Sequence, residues 1–247
     1  MKRWILTLIF CFAGVEASWA WELSFASVEF PSGNEQGRGV LAKPDGSGPS
    51  PLVLWVPESW GLNQAAKSRI GRMVKEGFTV LAVDLYRGET PSRQEDMQRM
   101  AGGLPDERAF RDVVGAFEYL KKEGKGGKAG VIGFSYGGLL AMRLAAARQD
   151  VAAAAIFYGR LPLDNKTLAG INCPVMTFFG AEDAHVDLTA IRQFSFAVET
   201  ASKTNITVRI YERAGHAFLP ENLPSYNKAA AMDSWKRAMT FLSNQLR

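Results

Sequence analysis

The chain has 247 residues, 29 of them Lys or Arg, 25 Asp or Glu, two Cys and two His. A 47% hydrophobic and 22% charged composition excludes wholesale disorder. The net charge of +4, with the basic residues scattered along the chain, does not indicate nucleic-acid binding. Two cysteines exclude a disulfide framework and any multi-cysteine metal cluster, and two histidines leave a histidine-based mechanism two candidates.

Lys2 and Arg3 precede an apolar run, Trp4 to Val15, that ends in Ala17-Ser18-Trp19-Ala20. This order describes a secretory signal peptide over residues 1–20, with cleavage before Trp21. The run falls well short of the roughly 20 residues that span a bilayer, so no stable membrane insertion is expected after cleavage. The expectation is an exported protein, periplasmic or secreted, with one domain over residues 21–247. Cleavage removes Cys11 and leaves Cys173 alone.

Two β-like stretches, Leu23 to Phe30 and Arg38 to Ala42, open the domain, and a turn-rich stretch from Pro44 to Pro51 follows. Apolar runs then recur at Leu52 to Val56, Phe78 to Val83, Ala129 to Ile132, Ala152 to Phe157 and Val175 to Phe179. Runs apolar on both faces suit parallel strands buried on both sides. Amphipathic helices are predicted at Gln64 to Lys75, Glu107 to Lys122, Leu139 to Ala147 and Leu188 to Ser202, with a last strand at Ile206 to Tyr211 and a terminal helix at Asn227 to Gln245. This alternation implies an α/β fold, a mostly parallel central sheet with helices on both faces.

In open α/β sheets functional groups gather at the carboxyl ends of strands. Gly133-Phe134-Ser135-Tyr136-Gly137 matches G-x-S-x-G. The motif alone is weak, but here it lies between a predicted strand and a predicted helix, the context of a sharp turn that exposes a nucleophilic serine. Such a hydroxyl needs a base. His216 follows the last strand, whereas His185 lies only two residues after Asp183 and reads as an exposed loop residue. Asp183, after the Val175 to Phe179 run, is the candidate to orient His216. Glu182 and Asp187 compete with it, although Asp187 suits a helix N-cap. The chain order Ser135, Asp183, His216 is that of α/β-hydrolases. An oxyanion hole would draw on the N–H groups of Tyr136 and Ser59.

The segments Glu58-Ser59-Trp60-Gly61-Leu62-Asn63, Asp84-Leu85-Tyr86, Gly133 to Gly138, Gly180 to Asp183 and Gly215-His216-Ala217-Phe218 together resemble the dienelactone hydrolase family of α/β-hydrolases. The resemblance runs from about Phe25 to Leu246. It implies hydrolysis of an ester or lactone without metal or cofactor, and it matches Glu58 to a family glutamate that contacts the resting nucleophile. The chain departs from the family in two ways. The best-known members use cysteine where this chain has Ser135, which leaves Glu58 to gate the site, to bind substrate or to be an inert carboxylate. Of the two arginines that hold the substrate carboxylate in dienelactone-cleaving members, Arg87 is one residue out of place and Pro220 stands at the other position. The aromatics Trp60, Tyr86, Tyr136 and Phe218 either line an apolar pocket or belong to the core.

The expected function is thus a monomeric serine hydrolase for a small ester or lactone. The same chemistry also serves acyl transfer, thioester cleavage and peptide hydrolysis, and a non-catalytic binding protein could keep the scaffold.

Overall fold

The computed structural model describes residues 25–247, apart from 47, 162–164, 202 and 204 and the side chain of 165. The predicted signal peptide and residues 21–24 lie outside the described residues.

An eight-stranded sheet forms the centre, in the order β1-β2-β4-β3-β5-β6-β7-β8. Its strands are β1 (Phe25–Ser32), β2 (Glu35–Ala42), β3 (Leu52–Val56), β4 (Thr79–Val83), β5 (Ala129–Phe134), β6 (Val151–Phe157), β7 (Val175–Gly180) and β8 (Ile206–Tyr211). From β4 to β8 every pairing is parallel, and only β2 runs against its neighbours. β1 and β2 form a tighter hairpin than the sequence patterning implies. Ser32 pairs with Glu35 across a two-residue loop, whose first position, Gly33, has φ 62°. Glycine there fits a hairpin turn that follows the twist of the strands.

The helices are α1 (Gln64–Lys75), α2 (Gln94–Gly102), α3 (Asp106–Glu123), α4 (Tyr136–Ala147), α5 (Asn165–Gly170), α6 (Leu188–Thr200) and α7 (Lys228–Leu246). Side chains of β3 alternate between two cores: Leu52, Leu54 and Val56 face α3 and α4, while Val53 and Trp55 face α1 and α7. Two helices had no counterpart in the sequence reading. Among its described residues α2 buries none fully and has only the short apolar stripe Met97, Met100 and Ala101, and α5 is only six residues long. The caps follow sequence more closely: Asn63, Asp187 and Asn227 each accept a backbone N–H from the first turn of α1, α6 and α7.

After β3 the chain crosses to β4 on one side and later returns to β5 on the other. That reversal opens a crevice at the carboxyl ends of β3 and β5, where ligands bind in open α/β sheets. The elbow between β5 and α4 closes on this crevice. A Cβ on Gly133 would fall on the carbonyl oxygen of Gly137, and one on Gly137 would fall on the carbonyl oxygens of Val56 and Pro57. Both contacts are with backbone, which cannot swing aside as a side chain can. Gly137→Ala is expected to destabilise the fold by about 3 kcal/mol, the upper part of the overpacking range. For a chain of this size that lowers Tm by roughly 6–12 °C in a thermal melt, and an unchanged Tm would show that α4 can move away from β3.

Candidate active site

Ser135 sits at the turn between β5 and α4 with φ 52° and ψ −118°, a conformation rare for a residue with a side chain. Its own N–H donates to the Phe157 carbonyl at 2.9 Å, which ties the turn to β6. Its Oγ lies 2.9 Å from Nε2 of His216. On the other side of that ring, Nδ1 lies 2.8 Å from Oδ2 of Asp183. The three side chains come from the ends of β5, β7 and β8.

The loops after β7 and β8 are fastened to each other. The Glu182 N–H donates to the Ala214 carbonyl, and the Ala181 N–H to the Tyr211 carbonyl, both at 2.9 Å. The Asp183 carboxylate is wholly buried, and its second oxygen accepts the N–H groups of His185 at 2.7 Å and Val186 at 2.9 Å. Burial pushes its pKa up. The hydrogen bonds from His216 and the two backbone amides, together with the charge of His216, outweigh that and hold it below the ordinary carboxylate value. Of its competitors, Asp187 caps α6 and Glu182 is exposed. His185 is exposed, as the sequence reading expects, but its ring also packs edge-on against His216 with centroids 4.7 Å apart.

At the end of β3, the Gly61 N–H closes a turn on the Glu58 carbonyl at 2.8 Å, with Ser59 and Trp60 at its tip, both half-buried. The Tyr86 hydroxyl donates to the Ser59 carbonyl at 2.9 Å, and Tyr86 is itself steadied by its N–H on Asp84 at 3.1 Å. Burial pushes the Tyr86 phenol up to about 12, so it stays a donor. Tyr136 is the first residue of α4, so its N–H has no partner one turn earlier in the helix. Its hydroxyl donates to Asp106 at 2.8 Å.

Glu58 is buried, and its carboxylate takes Nη2 of Arg69 on α1 at 3.1 Å. The hydrogen bond of Ser135 Oγ goes to His216. The sequence reading did not single out Arg69, although a signal existed. It stands inside the apolar stripe Ala66, Ile70, Met73 and Val74, where a charged residue requires a buried partner. Tyr158 follows the last residue of β6. It is fully buried at φ 39°, with its ring edge-on to His216 at 5.2 Å.

Two expected site residues are placed elsewhere. Arg87 is engaged by Glu35 at 2.6 Å and by Asp112 at 3.3 Å, so it braces the β1–β2 hairpin against α3 and is not left for a substrate. The turn at φ 54° after Asp84 sends the side chain that way. Phe218 has no exposed surface and packs between Tyr158 and Tyr211, so it belongs to the core. Trp60, Tyr86 and Tyr136 keep partly exposed surface near the strand ends. Among the described residues no group of three or more His, Cys, Asp or Glu is placed to hold a metal ion.

The sheet order, the crossover at β3 and β5 and the helices on both faces define an α/β-hydrolase fold. Residues 38–246 match the model of the dienelactone hydrolase family. A protein of Methylorubrum extorquens assigned as a carboxymethylenebutenolidase is 32% identical over 212 residues, covering 79% of this chain and 72% of its own. One of Bradyrhizobium assigned as a 2-oxo-3-(5-oxofuran-2-ylidene)propanoate lactonase is 28% identical over 233 residues, covering 87% and 92%. The crystal structure of a dienelactone hydrolase-like promiscuous phosphotriesterase from metagenomic libraries superposes with a TM-score of 0.80 at 24% identity, over 91% of this chain and 99% of that one, a likeness of fold. The chain belongs to the dienelactone hydrolase family and is a dienelactone hydrolase-like ester or lactone hydrolase.

The placement of Arg87 can be tested. Arg87→Gln leaves the buried Asp112 without its cation. The expected loss is about 2–3 kcal/mol in urea denaturation, below the 3–5 kcal/mol of a fully buried pair because Arg87 is partly exposed. Hydrolysis of a neutral ester by the folded variant should be nearly unchanged. Lost activity at unchanged stability would return Arg87 to the site.

Proposed function

We propose that the protein hydrolyses small carboxylic esters or lactones through Ser135, His216 and Asp183, and that it does so after export. The observation that carries this reading is the unbroken hydrogen-bonded chain from Ser135 Oγ through both nitrogens of His216 to a buried carboxylate. Ser135 Oγ attacks the carbonyl carbon while His216 Nε2 takes its proton. Asp183, held ionised by its own hydrogen bonds, stabilises the resulting imidazolium. The tetrahedral oxyanion is received by the N–H groups of Tyr136 and Ser59. On collapse the alkoxide leaves with the proton from His216. Water, deprotonated by the same nitrogen, then cleaves the acyl-serine, frees the acid and restores the hydroxyl.

With Arg87 bound to Asp112 and Pro220 at the other clamp position, the reading favours substrates that carry no carboxylate beside the reacting carbonyl. Ser135→Ala should lower kcat by about 10⁶, and His216→Ala comparably, in purified protein acting on simple aryl esters. His185→Ala, which removes only an exposed ring packed on His216, should cost far less. Ester hydrolysis that survives Ser135→Ala would refute the assignment, and failure of a fluorophosphonate to label Ser135 would favour a binding protein. For export, the mass of the protein recovered outside the cytoplasm should begin at Trp21, and a mass that includes Met1 to Ala20 would contradict it.

A further inference from the structure

A cavity of about 540 Å³ opens on the α1 and α7 face, within the range of small-molecule sites, and Ser135, His216, Asp183 and Glu58 do not line it. One wall is the side of α1 that carries Arg69 and Arg72, one helical turn apart. The opposite wall is α7, with Met232 and Trp235, and the segment from Leu219 to Tyr226 closes the end. The two walls differ in chemistry, and the difference defines a ligand.

The Arg69 side chain is only 9% exposed and forms the partition between this cavity and Glu58. Its guanidinium lies over the rings of Trp55 and Phe134, with its carbon 5.8 and 5.6 Å from their centroids. A guanidinium has five N–H donors. Among the described residues one meets an acceptor, Nη2 on Glu58, and the buried Nε has none. A desolvated cation with donors to spare favours a further acceptor. Arg72 stands nearer the mouth and among the described residues meets Glu221, at 3.8 Å, with both side chains exposed; such a pair is worth little and yields readily to a better partner. Across from the arginines, Met232 leaves 63% of its surface uncovered beside the half-buried ring of Trp235.

We propose that this cavity binds a small monocarboxylic acid with an apolar body. The carboxylate is received by Arg72 and Arg69, and the body lies against Leu219, Met232 and Trp235. Arginine matches the planar two-oxygen geometry of a carboxylate. Because Glu58 pairs with Arg69 and Glu221 stands at the mouth, the cavity holds no net positive charge, so a second negative charge on the ligand would be repelled, which favours a monocarboxylate over a dicarboxylate. A free acid of this class is also what the acyl half of an ester becomes on hydrolysis. That link rests on the proposed reaction, whereas the binding does not.

Calorimetric titration with phenylacetate and hexanoate, and with the neutral phenylacetamide, tests the site. The acids should bind saturably at one site, at least tenfold tighter than the amide. Ala65→Phe, which fills the cavity from a half-buried position on α1, should abolish binding, and the exposed Arg72→Gln should weaken it about tenfold, with thermal melts showing both variants folded. Protein phosphonylated at Ser135 should bind the acids as before. No saturable binding of either acid, equal binding of acid and amide, indifference to both substitutions, or loss of binding on phosphonylation would each overturn the proposal. A protein that resists phosphonylation yet binds acid in the cavity would count against the hydrolase mechanism and in favour of the site.

Discussion

The site depends on how closely α4 can approach the ends of β3 and β5. Gly133 and Gly137 bring backbone onto backbone there, and the helix start is pressed against the Val56 and Pro57 carbonyls. Only that approach makes the turn sharp enough to hold Ser135 at positive φ, a conformation that costs on the order of 1–3 kcal/mol and persists when its surroundings over-determine it. The surroundings are visible: the Ser135 N–H is bonded to β6, and a bulky buried core lies on both faces of the sheet beneath. The stiffness of a parallel sheet is thereby converted into a fixed position for one hydroxyl.

Around that point, charge is distributed with little freedom. Asp183 has three hydrogen-bond donors on two oxygens and no exposed surface, so the imidazole it holds has one orientation available. Glu58 has a cation of its own in Arg69. Here the glutamate is engaged away from Ser135, and Ser135 is left to His216 alone. A hydroxyl, which needs a base at every turnover, fits that division of partners better than a thiol that can ionise by itself.

Much of this was legible in the chain. The strands β3 to β7 are buried on both faces and so announce themselves as apolar runs, and the elbow, the acid loop and the histidine loop follow strand ends in the order the fold demands. The illegible parts have a common cause. α2 is nine residues long and buries none fully, so its short Met97, Met100 and Ala101 stripe is a weak signal. Arg87 lies next to the Asp84 turn in sequence, yet its direction is set by Asp112, 25 residues away on α3. Phe218 sits two residues from His216 but faces inward, because Tyr158 and Tyr211 receive it. Sequence locates the chain near the site; which way a side chain leaves a turn is decided by distant partners.

Cys173 is the one cysteine among the described residues. It lies just before β7, buried, and burial pushes its thiol up to about 11. Almost none of it is thiolate at neutral pH, and oxidants and disulfides react with thiolates. Among the described residues, then, no reactive thiolate is offered to an oxidant at neutral pH. With Ser135 as the proposed nucleophile, hydrolysis would not depend on the oxidation state of any thiol among the described residues.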